Sequence, residues 1–535
     1  MKRRSALWTL VGAGSIGMRA GLNGGKAGLI GAAAPASITA ESLRPGIPCG
    51  VMVGDPVSNG AMNSVVIWSR TDRAAGMEVE YSGQADFQQA LRVKGPTASA
   101  ETGYTARVEL AGLKAGAEYF YRVTFVDGSA RSEPFAGRFR TAGGGKSVRV
   151  LWSGDTCGQG YGINTDWGGM RIYEAMRQRE PDFFIHSGDT IYADGVLQPE
   201  VKLEDGSVWR NVVTEAMTKA AETLDEFRGH YKYNLADKNV LAMNAEIPVF
   251  AQWDDHEVTN NWWPEEPLTR GEHQRKKYVE KNMLVMAARG ARAFHEYMPI
   301  RATPAEPGRV YRKLGYGPLL DVLMIDTRSY RGPNAENMEE SYGPSAYYFG
   351  PQQVAWLKRA LKASRAEWKV IACDMPLALP RMYDGDRRWG QESLSQGDNG
   401  APRGREHELA DILSFIKRER IVNTIWVTGD VHYAAAHYFD PNKASFQEFE
   451  PFWEFVAGPL NAGTGRPIRL DGTFGPQAVF TKGVPPGTSV NHGPSYGMQF
   501  FGHVAIDGAT GVMAVALKDM SDATLWSIKL DPKQA

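Results

Sequence analysis

Three apolar runs along the chain end in the same dipeptide. Val150-Leu151-Trp152-Ser153 leads into Gly154-Asp155, Phe184-Ile185-His186-Ser187 into Gly188-Asp189, and Ile425-Trp426-Val427-Thr428 into Gly429-Asp430. Short runs of this kind, alternating with helical stretches, read as buried strands of a layered α/β sheet. Gly-Asp alone marks only a turn; Asp55, Asp386 and Asp398 stand in such pairs without ending a run of this kind. At strand ends the pair means more, because loops at the carboxyl ends of neighbouring strands converge in one crevice. Three carboxylates in one crevice raise one another's pKa unless a cation holds them. A metal site follows.

A fourth run, Phe250-Ala251-Gln252-Trp253, ends in Asp254-Asp255-His256-Glu257, with Asn260-Asn261 close behind. Three acids, an imidazole and two amides are too costly to bury as mere structure and too dense for a routine turn. Trp262 and Trp263 beside the cluster either wall a pocket or pack beneath it.

The chain has 535 residues, 43% hydrophobic and 23% charged, so it is globular and exceeds one ordinary domain. Apolar stretches at sandwich-like spacing run from Ile47 to Thr141: Gly50 to Val53, Ser64 to Trp68, Glu78 to Tyr81, Ala106 to Leu110, Glu118 to Phe125 and Gly137 to Arg140. Leu110-Ala111-Gly112-Leu113, Gly116 and Tyr119-Phe120-Tyr121 resemble the Leu-turn-Tyr corner of fibronectin type III domains. Residues 45–142 are therefore expected to form a fibronectin III or Ig-like β-sandwich, with Gly143-Gly144-Gly145-Lys146 as the linker leaving it.

Residues 147–530 are expected to form the layered α/β domain, giving an α+β/α/β chain with two sheets flanked by helices. Its remaining strand-like runs are Ile247 to Gln252, Leu319 to Ile325 and Lys369 to Ala372. Helical patterning covers Arg171 to Arg179, Thr214 to Gly229, Glu272 to Tyr297, Gln352 to Lys362 and Glu406 to Glu419; strand patterning returns at Val512 to Leu517 and Thr524 to Lys529.

Other features exclude function classes. Sixty basic against 61 acidic residues leave a net charge of −1, which favours neither a stable nucleic-acid complex nor an anionic membrane surface. Gly12-Ala13-Gly14-Ser15-Ile16-Gly17 has the spacing of a dinucleotide-binding loop. It lacks the following helix and the acid some 20 positions on that the chemistry needs. Three scattered cysteines, Cys49, Cys157 and Cys373, make neither a disulfide scaffold nor a Cys-rich zinc module.

Lys2-Arg3-Arg4, the Gly-rich apolar stretch Ala6 to Met18 and the small residues Ala34-Pro35-Ala36 resemble a twin-arginine export signal over residues 1–36. Lys2 and Ala6 depart from its favoured residues. The resemblance implies passage through the twin-arginine machinery to a periplasmic or secreted location. Arg19 interrupts the stretch before the ~18 residues of a spanning helix, so no membrane span is expected.

The four strand-end segments together resemble the calcineurin-like metallophosphoesterases, whose motifs run Asp-x-x-Gly, Gly-Asp-x-x-Tyr, Gly-Asn-His-Glu and Gly-His-x-His. Here the matching residues are Asp155, the pair Asp189 and Tyr192, Asp255-His256-Glu257, and Asp430 with His432. The Tyr three residues after Asp189 is similar to the purple acid phosphatase variant, whose phenolate binds ferric iron. Asp255 and Asp430 stand where the wider family has Asn and His. That pattern, Trp-Asp-Asp-His-Glu-Val-Thr-Asn-Asn with Gly-Asp-Val-His, resembles the alkaline phosphatase D family in particular, over roughly residues 47 to 530.

The resemblance implies Fe³⁺ with Ca²⁺. Hard oxygen donors suit Ca²⁺, while phenolate and thiolate suit Fe³⁺. It also implies a bridging, catalytic role for Asp189, with His432 and Tyr192 on the iron side and Asp255 and Asp430 on the calcium side. His256 would donate to the phosphoryl or leaving oxygen, with Glu257 orienting it. Asp155 and Cys157 both stand near the iron position, and which of them binds it stays open. Asp374 is either a further oxygen ligand or the cap of a turn. The loop from Arg381 to Arg405, rich in Gly and Arg, grips substrate or is a solvated surface loop; Arg381 and Arg388 within it, and Asn261 of the acidic cluster, are the candidate contacts with substrate. The expected activity is hydrolysis of small phosphomonoesters and phosphodiesters by metal-activated hydroxide. The alternatives are an extracellular nuclease or phospholipase on the same core, or a secreted binding protein without activity.

Overall fold

The structure is a computed structural model that describes residues 43–58, 63–143, 147–269, 271–303, 306–380 and 392–534. The export-signal residues 1–36, most of the linker, and Arg381 and Arg388 lie outside the described residues.

Around the N-terminal stretches, the strands Val51–Ser58, Asn63–Arg70 and Thr105–Leu113 pair antiparallel as one layer. Leu91–Ala98, Ala75–Ser82, Glu118–Asp127, Ala130–Arg131 and Phe135–Arg140 make a second sheet of five strands. Alternate residues of both layers, among them Val51, Val53, Ile67, Val79, Val123 and Phe139, meet in one buried cluster. This is the period-two signature of a sheet with one buried face. The corner read from Leu110 to Tyr119 is built as expected, with the Lys114 N–H donating to the Tyr119 hydroxyl at 3.0 Å.

Where the sequence suggested a sandwich set apart by a linker, the hydrogen bonding runs on into the rest of the chain. Val51–Ser58 pairs in parallel with Val249–Gln252 through Gly54 and Val249, and with Arg312–Tyr316 through Ser58 and Tyr316. Arg312 reinforces this seam by reaching both oxygens of Asp55, at 2.7 and 3.2 Å, with both side chains buried.

The strand Val51–Ser58 thus joins two half-sheets. In one, Val249–Gln252, Phe183–Ser187 and Val148–Ser153 run parallel, followed by antiparallel Phe500–Ile506, Met513–Asp519 and Thr524–Leu530. The other holds Arg312–Tyr316, then parallel Leu320–Met324, Trp368–Ala372, Thr424–Thr428 and Phe452–Val456, then Ala434–Phe439 and Pro476–Lys482. The two halves share one core, in which Trp152 lies 6.4 Å from Phe455 and Phe183 lies 4.9 Å from Tyr316. Truncating a buried ring there costs about 3–5 kcal/mol.

Helices cover the outer faces. Arg171–Arg177, Leu224–Asn234, Lys238–Glu246 and Met283–Tyr297 contribute to one apolar cluster, and Pro351–Ala363 with Glu406–Arg418 to another. Two helical expectations are corrected. The stretch read from Thr214 is a short turn at Glu215–Thr218, and the helix starts only where Thr223 and Glu226 form a capping box. The stretch read from Glu272 to Tyr297 breaks into Gly271–Lys276 and Met283–Tyr297, the second capped by the Asn282 side chain.

Candidate metal centre

Because the central strands of each half run parallel, their carboxyl ends lie on one edge. Asp155, Asp189 and Asp254-Asp255 leave three neighbouring strands of the first half, and Arg328, Asp374 and Asp430 follow three neighbouring strands of the second. The two edges meet. Asp155, Asp189 and His432 offer ligand atoms that all lie within 4.8 Å of one another, and so do Asp189, Asp255 and His256, and Asp254, Asp255 and Asp430. Asp189 belongs to the first two groups, and Asp255 links the second to the third.

The backbone is strained at these positions. Asp155, Asp189, Asp430 and His432 have φ of 63°, 52°, 63° and 59°. That region is rare for side-chain-bearing residues, and such strain clusters at functional sites.

Electrostatics calls for a cation. Burial pushes the Asp189 carboxyl well up, and the charges of Asp255, Glu257, Asp155 and Asp430 push it further. The Tyr192 phenol is raised by burial and by Asp189, Asp155, Asp255 and Asp430. Oδ1 of Asp255 and Oδ2 of Asp254 are buried with no hydrogen-bond partner. Positive charge in the crevice would reverse these shifts and satisfy these oxygens. Gly458 packs closely on this site: a Cβ there would come within 2.3 Å of Oδ2 of Asp155. A set of buried carboxylates with one phenol and two imidazoles, His432 and His256, fits hard cations.

The Tyr192 hydroxyl lies 2.9 Å from Nε2 of His432, whose other ring nitrogen meets the Gly463 carbonyl. Gly158 makes room for Tyr192, since a Cβ there would fall 2.1 Å from the ring. His256 stacks on Tyr192 with centroids 4.1 Å apart and is the more open of the two histidines, with 13% of its side chain exposed. Its Nδ1 lies 2.6 Å from Oδ1 of Asp194, which also receives Lys276 and the Asn260 N–H. Burial opposes protonation of His256, but Asp194 and Asp255 overcome it and carry its pKa up to about 9. With Nδ1 donating to Asp194, a ring protonated at both nitrogens has Nε2 as its second donor.

Several expected roles move. Asp194, not Glu257, orients His256; Glu257 instead accepts from the backbone N–H groups of Asp189, Thr190 and Asp254 and so ties two ligand loops together. Cys157 is buried in the apolar cluster with its thiol donating to the Tyr161 carbonyl at 3.4 Å, outside the three ligand groups. Burial raises that thiol, which removes thiolate character. Asp374 is engaged by Thr327 and faces Arg328 at 3.7 Å, also outside the groups. Asn261 gives its backbone N–H to Asp255, and with its amide nitrogen turned toward the carboxylates it donates to Asp255 at 3.0 Å and Glu392 at 2.6 Å. It holds a ligand. Trp262 is fully buried against Trp253, their rings 5.8 Å apart, and packs beneath the site.

Sequence reasoning missed Asp194, Lys276, Arg328 and Glu392. Asp194 carries a signal, five residues beyond Asp189 on the same loop; Arg328 follows the apolar run Leu319 to Ile325, whose pattern marks a strand and nothing more.

A likeness in fold extends to the solved structure of PhoD, with a TM-score of 0.65 at 20% identity over 91% of this chain and 90% of that one. It extends also to a purple acid phosphatase, PPD1, from yellow lupin (Lupinus luteus) seeds, with a TM-score of 0.55 at 12% identity over 91% and 74%. The family model for the PhoD-like phosphatase matches residues 151–517, and that for the PhoD-like phosphatase N-terminal domain matches residues 32–143. The chain belongs to the PhoD-like phosphatase family. Alkaline phosphatase D of Bacillus subtilis (strain 168) is 28% identical to it over 436 residues, 77% of this chain and 69% of that protein.

Proposed function

We propose that this phosphatase is an exported, metal-dependent enzyme that hydrolyses small phosphomonoesters and phosphodiesters with Fe³⁺ and Ca²⁺, on a layered domain of two facing half-sheets. The observation that carries the reading is the run of three overlapping ligand groups joined through Asp189 and Asp255. Asp155, Asp189 and His432, with Tyr192 beside them, would hold the iron; Asp255 and Asp430 would hold calcium. When bound, the ions supply Lewis-acid charge for activating a water and neutralising phosphoryl oxygens.

The chain's own residues do the rest. His256, held by Asp194 and protonated at neutral pH, donates from Nε2 to the phosphoryl or leaving-group oxygen. Glu257 keeps the Asp189 and Asp254 loops in register, so the carboxylates are fixed before substrate arrives. Lys2-Arg3-Arg4 and the apolar stretch after them support export by the twin-arginine route and a periplasmic or secreted location.

The test is elemental analysis of purified protein, followed by metal removal and assay on p-nitrophenyl phosphate, bis-p-nitrophenyl phosphate, DNA and a phospholipid. Iron and calcium should be found together, activity should vanish with them, and the small esters should be the better substrates. A fully active protein holding only zinc overturns the metal assignment. Preference for DNA or phospholipid moves the substrate assignment to those polymers or lipids.

A further inference from the structure

Arg328 is fully buried and stands among four carboxylates. Its Nε donates to Asp254 at 2.7 Å, its NH1 lies 3.3 Å from Glu392, and Asp374 and Asp255 lie at 3.7 and 4.0 Å. A guanidinium keeps its charge when buried, so this is a permanent cation built into the acidic crevice. Glu392 in turn accepts from the Asn261 amide, and Asn261 donates twice to one oxygen of Asp255, Oδ2, from its backbone and from its side chain. The chain of contacts therefore runs from Arg328 through Glu392 and Asn261 to Asp255.

That chain divides the two oxygens of Asp255. Oδ2 is taken up by Asn261, with Arg328 beyond it, whereas Oδ1 is buried with no partner. We infer that Arg328 is a positioning residue for the calcium-side carboxylates, fixing Asp254 directly and, through Glu392 and Asn261, turning Oδ1 of Asp255 toward the cation. This rests on the metal-centre reading above. A guanidinium close to a cation site repels the ion if charge alone matters, and it favours binding if its orienting role dominates. The two cases predict opposite signs when the charge is removed.

The experiment compares wild type, Arg328→Gln, Arg328→Gln with Asp254→Asn, and Asn261→Gly, each with iron retained, by calorimetric titration with Ca²⁺ and by thermal unfolding with and without Ca²⁺. Removing a residue that orients a ligand typically weakens metal binding about 10–100-fold. Arg328→Gln should weaken calcium about tenfold or more and leave the visible absorption unchanged. The double variant should recover thermal stability, because it removes the stranded charge of Asp254, without recovering calcium affinity. Asn261→Gly keeps the positive φ of 57° and the backbone donor, so it folds, and should weaken calcium about threefold to tenfold. Unchanged or tighter calcium binding in Arg328→Gln overturns the inference, and so does unchanged binding in Asn261→Gly if Arg328→Gln fails to fold. Wild type that binds no calcium overturns the metal-centre reading instead.

Discussion

Nδ1 of His256 lies 2.6 Å from Oδ1 of Asp194, and the same carboxylate is the anchor for Lys276. Burial raises the Asp194 carboxyl, but His256 and Lys276 outweigh it and hold it well below the usual range. The carboxylate is thus ionised throughout the working pH range, and it keeps both the tautomer and the charge of the imidazole.

Asp194→Asn should lower kcat about 10–100-fold with KM within about twofold, because the ring loses orientation and charge but no contact with substrate. The pH profile separates this from a structural defect. On the proposed mechanism the active form is the imidazolium, present below its pKa; without Asp194 that pKa falls from about 9, so the alkaline loss of activity should begin at lower pH. An unmoved alkaline limb means His256 does not act as the donor.

Asp155 and Cys157 compete in the sequence, and the backbone separates them. Asp155→Ala should abolish activity and iron binding together. Cys157→Ala should keep iron and its visible band and cost about 1 kcal/mol of stability, as expected for a small buried side chain. Loss of iron from Cys157→Ala with iron retained in Asp155→Ala would make the thiolate the ligand.

The reason the sequence left that pair open is physical. Alternation in an extended segment places residues two apart on one side, but Asp155 at φ 63° is not extended, and the turn it makes sends Cys157 into the core. Where strands stay regular, the reading holds: the ends carrying Asp155, Asp189, Asp255 and Asp430 are legible because each apolar run stops at its carboxylate. Arg328 is not legible, since its partner Asp254 lies 74 residues away and only parallel pairing of distant strands brings them together. Likewise the seam at Val51–Ser58 depends on pairing with strands near residues 249 and 316, which no local pattern encodes.

A second pH effect comes from a buried carboxyl outside the three ligand groups. Glu406 opens the helix Glu406–Arg418 fully buried, and burial, then the charge of Asp471, raises its pKa from 4.5 to about 8. A raised carboxyl favours the folded state fully below the unfolded value of 4.5, and that benefit is lost as pH climbs from there to about 8. Glu406→Gln should therefore match wild type near pH 5 and exceed it by roughly 2–4 kcal/mol at pH 9 in denaturant unfolding. Equal stability of the two proteins at pH 9 refutes the assignment.

Asp55 and Arg312 offer the sharpest test of whether the N-terminal layer and the catalytic sheet behave as one body. Their ion pair is bidentate and buried, and Asp55 also accepts from the Arg301 N–H at 2.8 Å. Taking away one partner strands the other charge in the interior, which costs about 3–5 kcal/mol, whereas replacing both leaves no charge behind. Arg312→Met should thus destabilise by that amount, and Asp55→Asn with Arg312→Met should restore most of it. Because the strand Val51–Ser58 pairs with both half-sheets, the loss should appear in a single unfolding transition reported alike by tryptophan fluorescence, to which Trp68 and Trp152 contribute from either side of the seam, and by loss of phosphatase activity. Separate transitions, with Arg312→Met shifting only one, would mean the N-terminal layer folds and melts independently of the sheet it is hydrogen-bonded to.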